Sequence, residues 1–185
     1  MWDVFLRGRP LGFGNLSGAQ NEQRGFAAFW SWIRANFDPG ASWADIEWLR
    51  ANWRGPIVLK GILDSEDALQ AVKCGADAVI VSNHGGRQLD GVVSSIRALP
   101  RIVAAVNGRL PVLFDGGVRS GLDMLKALAL GASACLVGRP WAYALAAGGE
   151  AAVAHMIDIL RQELTTALTL SGCSDLAGVA DCLDL

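Results

Sequence analysis

At 185 residues with 52% hydrophobic side chains, the chain holds enough apolar material for one globular domain with a real core, which excludes a disordered tail or linker. Sixteen basic residues against 18 acidic ones leave a formal charge of −2, so the clustered Lys and Arg that a nucleic-acid surface requires are missing. The opening Met1-Trp2-Asp3 is not a basic region followed by a long apolar run, and neither a signal peptide nor a membrane-spanning helix is expected.

The text changes character near Trp53. Before it, punctuation such as Gly8-Arg9-Pro10 and Gly12-Phe13-Gly14-Asn15 alternates with aromatic residues. Phe26 to Phe37, with Phe29, Trp30 and Trp32 beside Arg34, reads either as an interfacial helix or as a helix packing its aromatics against protein. The expected location is accordingly cytoplasmic, with a peripheral membrane contact as the option this segment offers.

Residues 55–185 are regular. Pro56-Ile57-Val58-Leu59-Lys60 is a short apolar run rich in β-branched residues, and Asp64-Ser65-Glu66-Asp67 after it predicts a helix start before Ala68 to Cys74. Ala78-Val79-Ile80-Val81-Ser82 predicts a second strand, followed by a Gly-rich loop and helical spacing from Ser94 to Val106. Leu110 to Asp115 and Ser133 to Gly138 supply two more strands around a helical run from Gly121 to Leu130, and a last helix is expected over Glu150 to Leu170. Strands without polar alternation are buried on both faces, as in a parallel sheet covered by helices. Spacings of roughly twenty to thirty residues suit βα units with minimal loops. Two architectures remain, a doubly wound sheet and part of a (β/α)8 TIM barrel.

The loops choose between them. Lys60, Ser82 to Asp90, Asp115 to Arg119 and Gly138-Arg139 all follow the carboxyl ends of strands, where barrel enzymes keep their sites, and there is no GxGxxG fingerprint. In Asp115-Gly116-Gly117-Val118-Arg119-Ser120-Gly121 the glycines let backbone N–H groups approach a phosphate, Arg119 can fork onto its oxygens, and a helix N-terminus stands behind. A Gly-Gly pair after a strand is otherwise only a tight turn, but Gly138-Arg139 repeats the pattern on the next strand. His84, just past a buried strand and beside Gly85 and Gly86, is placed as a general base, and Arg87 can hold a carboxylate bidentately. Lys60 either escapes to solvent at the rim or faces an anionic or electron-rich group, since burying it alone is costly.

Leu59-Lys60-Gly61-Ile62, Ser82-Asn83-His84-Gly85-Gly86-Arg87-Gln88-Leu89-Asp90, Asp115 to Gly121 and Gly138-Arg139-Pro140 together resemble the signatures of the FMN-dependent 2-hydroxyacid oxidases and dehydrogenases, from about Gly55 to Gly172. The resemblance implies FMN as cofactor and oxidation of a small L-2-hydroxy acid, of lactate or mandelate type, to the 2-oxo acid. It implies that Lys60 stabilises the reduced flavin at its N1/C2 edge, that Ser82 bonds the flavin, that His84 takes a substrate proton and that Arg87 clamps the substrate carboxylate. Asp115, Gly116, Gly117, Arg119, Gly138 and Arg139 would bind the ribityl chain and phosphate. The resemblance also implies that residues 1–54 are a partly helical segment connecting two barrel halves.

The family's barrel has eight strands, and only its last four are expected here, without the early strands, an active-site tyrosine, a second substrate arginine or the aspartate that orients the histidine. Tyr143, the single tyrosine, falls in the helix after the phosphate loop and does not replace the missing one. The chain is therefore expected to be a C-terminal half-barrel that forms a homo-oligomer or needs a complementary half, because open sheet edges invite pairing. The alternative is a non-catalytic flavin- or phosphate-binding half. A barrel of the inosine monophosphate dehydrogenase kind shares the phosphate loop, but none of the cysteines here sits at a suitable strand end for its nucleophile. Cys74, Cys135, Cys173 and Cys182 are expected as buried free thiols of a reducing compartment, and His155 is expected on a packing face of the last helix without a role.

Overall fold

The computed structural model describes residues 26–182; the glycine-punctuated stretch through Asn15 lies outside them. The chain divides into two compact units between Ser42 and Trp43. In the first, helix α1 covers Phe26–Asn36. The second begins with α2, Trp43–Asn52, and continues as βα units: β1 (Val58–Ile62), α3 (Ser65–Lys73), β2 (Ala78–Val81), α4 (Ser95–Val106), β3 (Val112–Phe114), α5 (Gly121–Ala129), β4 (Ala134–Cys135) and α6 (Arg139–Leu170). Among the described residues no helix is long and apolar enough to cross a membrane.

The strands form one parallel sheet in the order β1-β2-β3-β4. A doubly wound sheet reverses its order at a switch point, whereas a barrel adds each strand beside the last. The observed order is that of a partial (β/α) barrel with four strands.

Register sorts the side chains into two faces. Leu59, Val79 and Val112 align across the sheet, as do Ile62, Val81, Phe114 and Cys135, and both rows pack on the helices with Ala68 and Ala71 of α3 and Ala98, Leu99, Ile102 and Val106 of α4. The alternate row, Lys60, Ile80, Leu113 and Ala134, lies on the opposite face because strand side chains alternate. β2 is buried along its whole length, as its unbroken apolar text implies, while β1, with a neighbour on one side only, is buried only at Ile62.

Local chemistry sets the helix ends. Asp64 caps α3, its Oδ1 accepting from the Glu66 N–H at 2.8 Å. α4 buries Ser95, Ala98, Leu99, Ile102 and Val106, a helical stripe whose burial offsets the interior Pro100, and it stops at Asn107 in the left-handed region. Ser120 and Asp123 form a capping box at α5. α6 leaves helical geometry at Gly148 and Gly149, so the helix expected from Glu150 is its second arm and Tyr143 lies in its first. Arg50 of α2 ties the entry of the sheet together: it pairs with Asp77 at 2.9 Å and donates to the Gly55 carbonyl, while Asp77 also accepts from the Ile57 N–H at 2.7 Å.

Three expectations need correction. The strands at β3 and β4 are shorter than their apolar runs, because ladder pairing ends where the chain turns into the loops that carry the polar residues. His155 is exposed rather than on a packing face: the second arm of α6 buries Leu160 and Ala167 instead. Cys74 and Cys135 are free thiols, but Cys173 is disulfide-bonded, in the turn after α6 where the chain folds back so that Val179 packs with Leu125 and Ala167.

Candidate active site

The polar residues at the strand ends converge. The Lys60 ammonium donates to Ser82 Oγ at 2.7 Å and pairs with Asp115 Oδ2 at 2.7 Å, so side chains from β1 and from the ends of β2 and β3 meet at one point. Ser82 is 1% exposed, and its Oγ also accepts from the His84 N–H at 3.1 Å. The Lys60 ammonium is held by Ser82 and Asp115 although its side chain keeps solvent contact. Its side chain is 42% exposed and that of Asp115 18%, so the pair is screened and its geometry matters more than its energy.

His84 opens a single 3-10 turn, His84–Gly86, with its own backbone in the left-handed region at φ 56°. Asn83 stabilises the turn, its Oδ1 accepting from the Gly85 N–H at 3.0 Å and its carbonyl from the Gly86 N–H at 2.9 Å. Both imidazole nitrogens, Nδ1 and Nε2, are buried with no hydrogen-bond partner. An unpartnered buried imidazole costs stability, and such groups cluster where a ligand later supplies the partner. Arg87 follows with an exposed side chain that makes no hydrogen bond or ion pair among the described residues.

The loop after β3 turns through Gly116 and Gly117, at φ 101° and 87°. The two glycines serve different ends. A methyl group on Gly116 would stand 2.6 Å from Ser95 Oγ and 3.2 Å from Asn83 Oδ1, so this glycine admits the neighbouring histidine loop; on Gly117 it would meet nothing within 4 Å, leaving open backbone. The Arg119 and Ser120 N–H groups both donate to Asp123 Oδ2 at 3.0 Å, and the Arg119 side chain is exposed. After β4, Gly138 also has open space at its Cα and caps α6. Arg139 reaches back across the strand ends, its Nη2 donating to the Gly85 carbonyl at 2.6 Å.

The residues that the sequence reading singled out thus fall into three groups. Lys60 bonds both Ser82 and Asp115; His84 joins them through its backbone, and Arg139 reaches the histidine turn through the Gly85 carbonyl; Arg87, Arg119, Gly116, Gly117 and Gly138 lie on the surrounding loops, the two arginine side chains without a hydrogen bond or ion pair among the described residues. Three participants were not singled out. Ser95, 2% exposed, accepts from the Asn83 N–H at 3.1 Å; Asn83 builds the histidine turn; and Gly61 lies against the His84 ring. A serine at a helix start reads as a cap, and nothing in its neighbours announces that it turns inward.

A parallel, sequentially ordered β/α unit with its polar residues gathered at the carboxyl ends of the strands defines a partial (β/α) barrel of four strands. Residues 6–183 match the family model described as FMN-dependent dehydrogenase, and the chain belongs to that family. It is similar to an L-lactate dehydrogenase of Caulobacter vibrioides (strain NA1000 / CB15N), 53% identical over 178 residues, which cover 96% of this chain and 46% of the relative. An L-lactate dehydrogenase of Xanthomonas euvesicatoria pv. vesicatoria is 52% identical over 97% of this chain and 46% of its own length. Among solved structures, mandelate oxidase with (S)-4-hydroxymandelic acid superposes with a TM-score of 0.81 at 47% identity, covering 89% of this chain and 47% of that one. A mandelate oxidase variant with a monooxide FMN adduct gives 0.75 at 52% identity, over 78% of this chain and 46% of that one. The chain spans about half the length of the relatives it matches.

Proposed function

We propose that this chain supplies the cofactor- and proton-handling half of an enzyme that oxidises a small L-2-hydroxy acid, of lactate or mandelate type, to the 2-oxo acid with FMN. The observation that carries the reading is the meeting of Lys60, Ser82 and Asp115 at the ends of three adjacent strands, next to an imidazole whose nitrogens are buried without partners. The residues present fit the cofactor: open glycine backbone at Gly117 and Gly138 beside the arginines of the same loops suits a phosphate, and the Lys60 cation suits an electron-rich ring edge.

FMN, when bound, accepts the electrons that leave the substrate. The protein's part is positional and acid–base. Arg87 holds the substrate carboxylate as a fork, and His84 accepts one proton from the substrate. Lys60 would set a positive charge against an electron-rich edge of the cofactor when it is bound, and Ser82, whose hydroxyl already takes the Lys60 and His84 bonds, orients both. Asp115, Gly116, Gly117, Arg119, Gly138 and Arg139 hold the ribityl chain and phosphate.

The edges β1 and β4 of the sheet call for a second four-stranded unit, another copy or a complementary half. We read the location as cytoplasmic, with α1 and the residue after it as the segment for a peripheral membrane contact through Trp30, 48% exposed, and Phe37. A second reading, a half-barrel that binds flavin without turnover, is favoured by the 46% share of its relatives that the chain spans.

The test is an anaerobic absorbance titration with FMN, followed by L-lactate and L-mandelate. The expected result is a perturbed flavin spectrum that bleaches with one of the acids, while His84→Gln retains the perturbed spectrum and does not bleach. Binding without bleaching by either acid assigns the second reading, and an unperturbed spectrum removes both.

A further inference from the structure

We infer that Gly61 is a positioning residue for His84: it is glycine because the imidazole rests on its Cα, and that seat is what keeps both ring nitrogens from water. The inference rests on the assignment of His84 as the base, but its geometry stands independently. Three observations, on β1 and on the turn after β2, agree.

First, β1 is irregular at this point. Its pairing with β2 shifts between Lys60 and Ile62, so Gly61 is the extra residue of a bulge and has no partner in the register. Its φ is +99°, a conformation that L side chains rarely adopt. Bulges re-aim neighbouring side chains, and here the two neighbours go to opposite faces: Lys60 toward Ser82 and Asp115, Ile62 into the core.

Second, the space beside Gly61 is taken. A methyl group built on it would stand 2.9 Å from His84 Cε1 and 3.1 Å from Nε2, and beyond Gly61's two chain neighbours the imidazole is the group it meets within 4 Å. Third, the ring that fills this space has Nδ1 and Nε2 both buried and without partners. Nothing else fixes the imidazole by hydrogen bonding, so packing must fix it, and Gly61 is the contact that a single added carbon would destroy. Ser82 and Asn83 hold the backbone of the histidine turn, whereas Gly61 holds its side chain.

The chain has two histidines, and His155 is exposed, which gives a stoichiometric readout that needs no flavin. Carbethoxylation of the native chain with diethyl pyrocarbonate should modify one imidazole, His155, and in denaturant two. Native Gly61→Ala should modify both, because the displaced ring meets water. A folded Gly61→Ala that still protects His84 overturns the inference.

Because the positive φ penalises alanine by itself, the same substitution is also made in a His84→Ala background, where the strain is unchanged but the ring is gone. The midpoint of thermal unfolding should fall markedly more with His84 present than without it. An equal fall in both backgrounds, including failure of both to fold, overturns the seat, since backbone strain alone would then explain the glycine. These readouts stay separate from the flavin titration: loss of bleaching there speaks to the function, loss of protection here speaks to the seat.

Discussion

Removing one oxygen from the centre of the site should be measurable as stability. Ser82→Ala deletes the acceptor for the Lys60 ammonium at 2.7 Å and for the His84 N–H at 3.1 Å in a residue that is 1% exposed. A bond to a charged group is worth about 1.5–3 kcal/mol when nothing replaces it. Lys60 keeps Asp115 and is 42% exposed, so its share is discounted to about 0.5 kcal/mol. The His84 N–H loses its acceptor within a tight turn, which costs about 1–2 kcal/mol. The total, about 1.5–2.5 kcal/mol, corresponds to a fall of roughly 3–10 °C in Tm, given about 2–4 °C per kcal/mol at this chain length. Paired thermal and urea unfolding followed by circular dichroism would measure it, with coincident transitions checking two-state behaviour. A Ser82→Ala chain within about 0.5 kcal/mol of the parent would refute the account of Ser82 as the shared acceptor.

Other expectations follow from single observations. Leu99→Ala, at a fully buried position of α4, should cost about 2–5 kcal/mol by urea unfolding, through lost transfer energy plus a cavity. The Ile57 N–H, and then Arg50, hold the Asp77 carboxyl below its ordinary value of 3.8. Its contribution is therefore present above that value and lost as pH falls through the lower folded-state value, so Asp77→Asn should flatten the acid limb of a stability profile taken from pH 6 downward. Burial pushes the Cys135 thiol up to about 11, so mass-spectrometric mapping of iodoacetamide adducts at pH 8 should find it unmodified in the native chain and modified in urea. Gly121→Ala would drive a methyl group into the Leu164 nitrogen and the Glu163 carbonyl carbon, backbone that cannot swing aside, and should lower Tm in the same melting assay.

Where physics repeats along the chain, the sequence was legible. β2 reads as a buried parallel strand because four consecutive apolar residues leave no polar face, and α3 announces its start through Asp64. Lys60, Ser82 and Asp115 could be picked out because each ends such a run, although nothing in the text says that the lysine bonds both of the others. What stayed hidden depends on long-range fit. The need for glycine at 61 comes from a ring 23 positions later, and that at 121 from the backbone of α6. His155 departs from its expected packing face because the break at Gly148 and Gly149 and the fold-back of Val179 onto α5 redefine which surfaces of the last helix are covered, while the Cys173 disulfide lies in the turn beyond the helix, where spacing gives no signal for it. Exposure of a terminal helix is a property of its neighbours, and periodicity carries no record of them.

The sheet order also bears on how the unit is assembled. Strands pair only with their neighbours in sequence, across separations of 20, 33 and 21 residues at the first aligned pairs. Closing such short loops differs little in entropy from one step to the next, so no pairing must wait for a distant segment. The unit can grow by accretion, each βα layer completing the template for the layer after it, in the manner of a linear repeat rather than of a sheet whose middle strand arrives last.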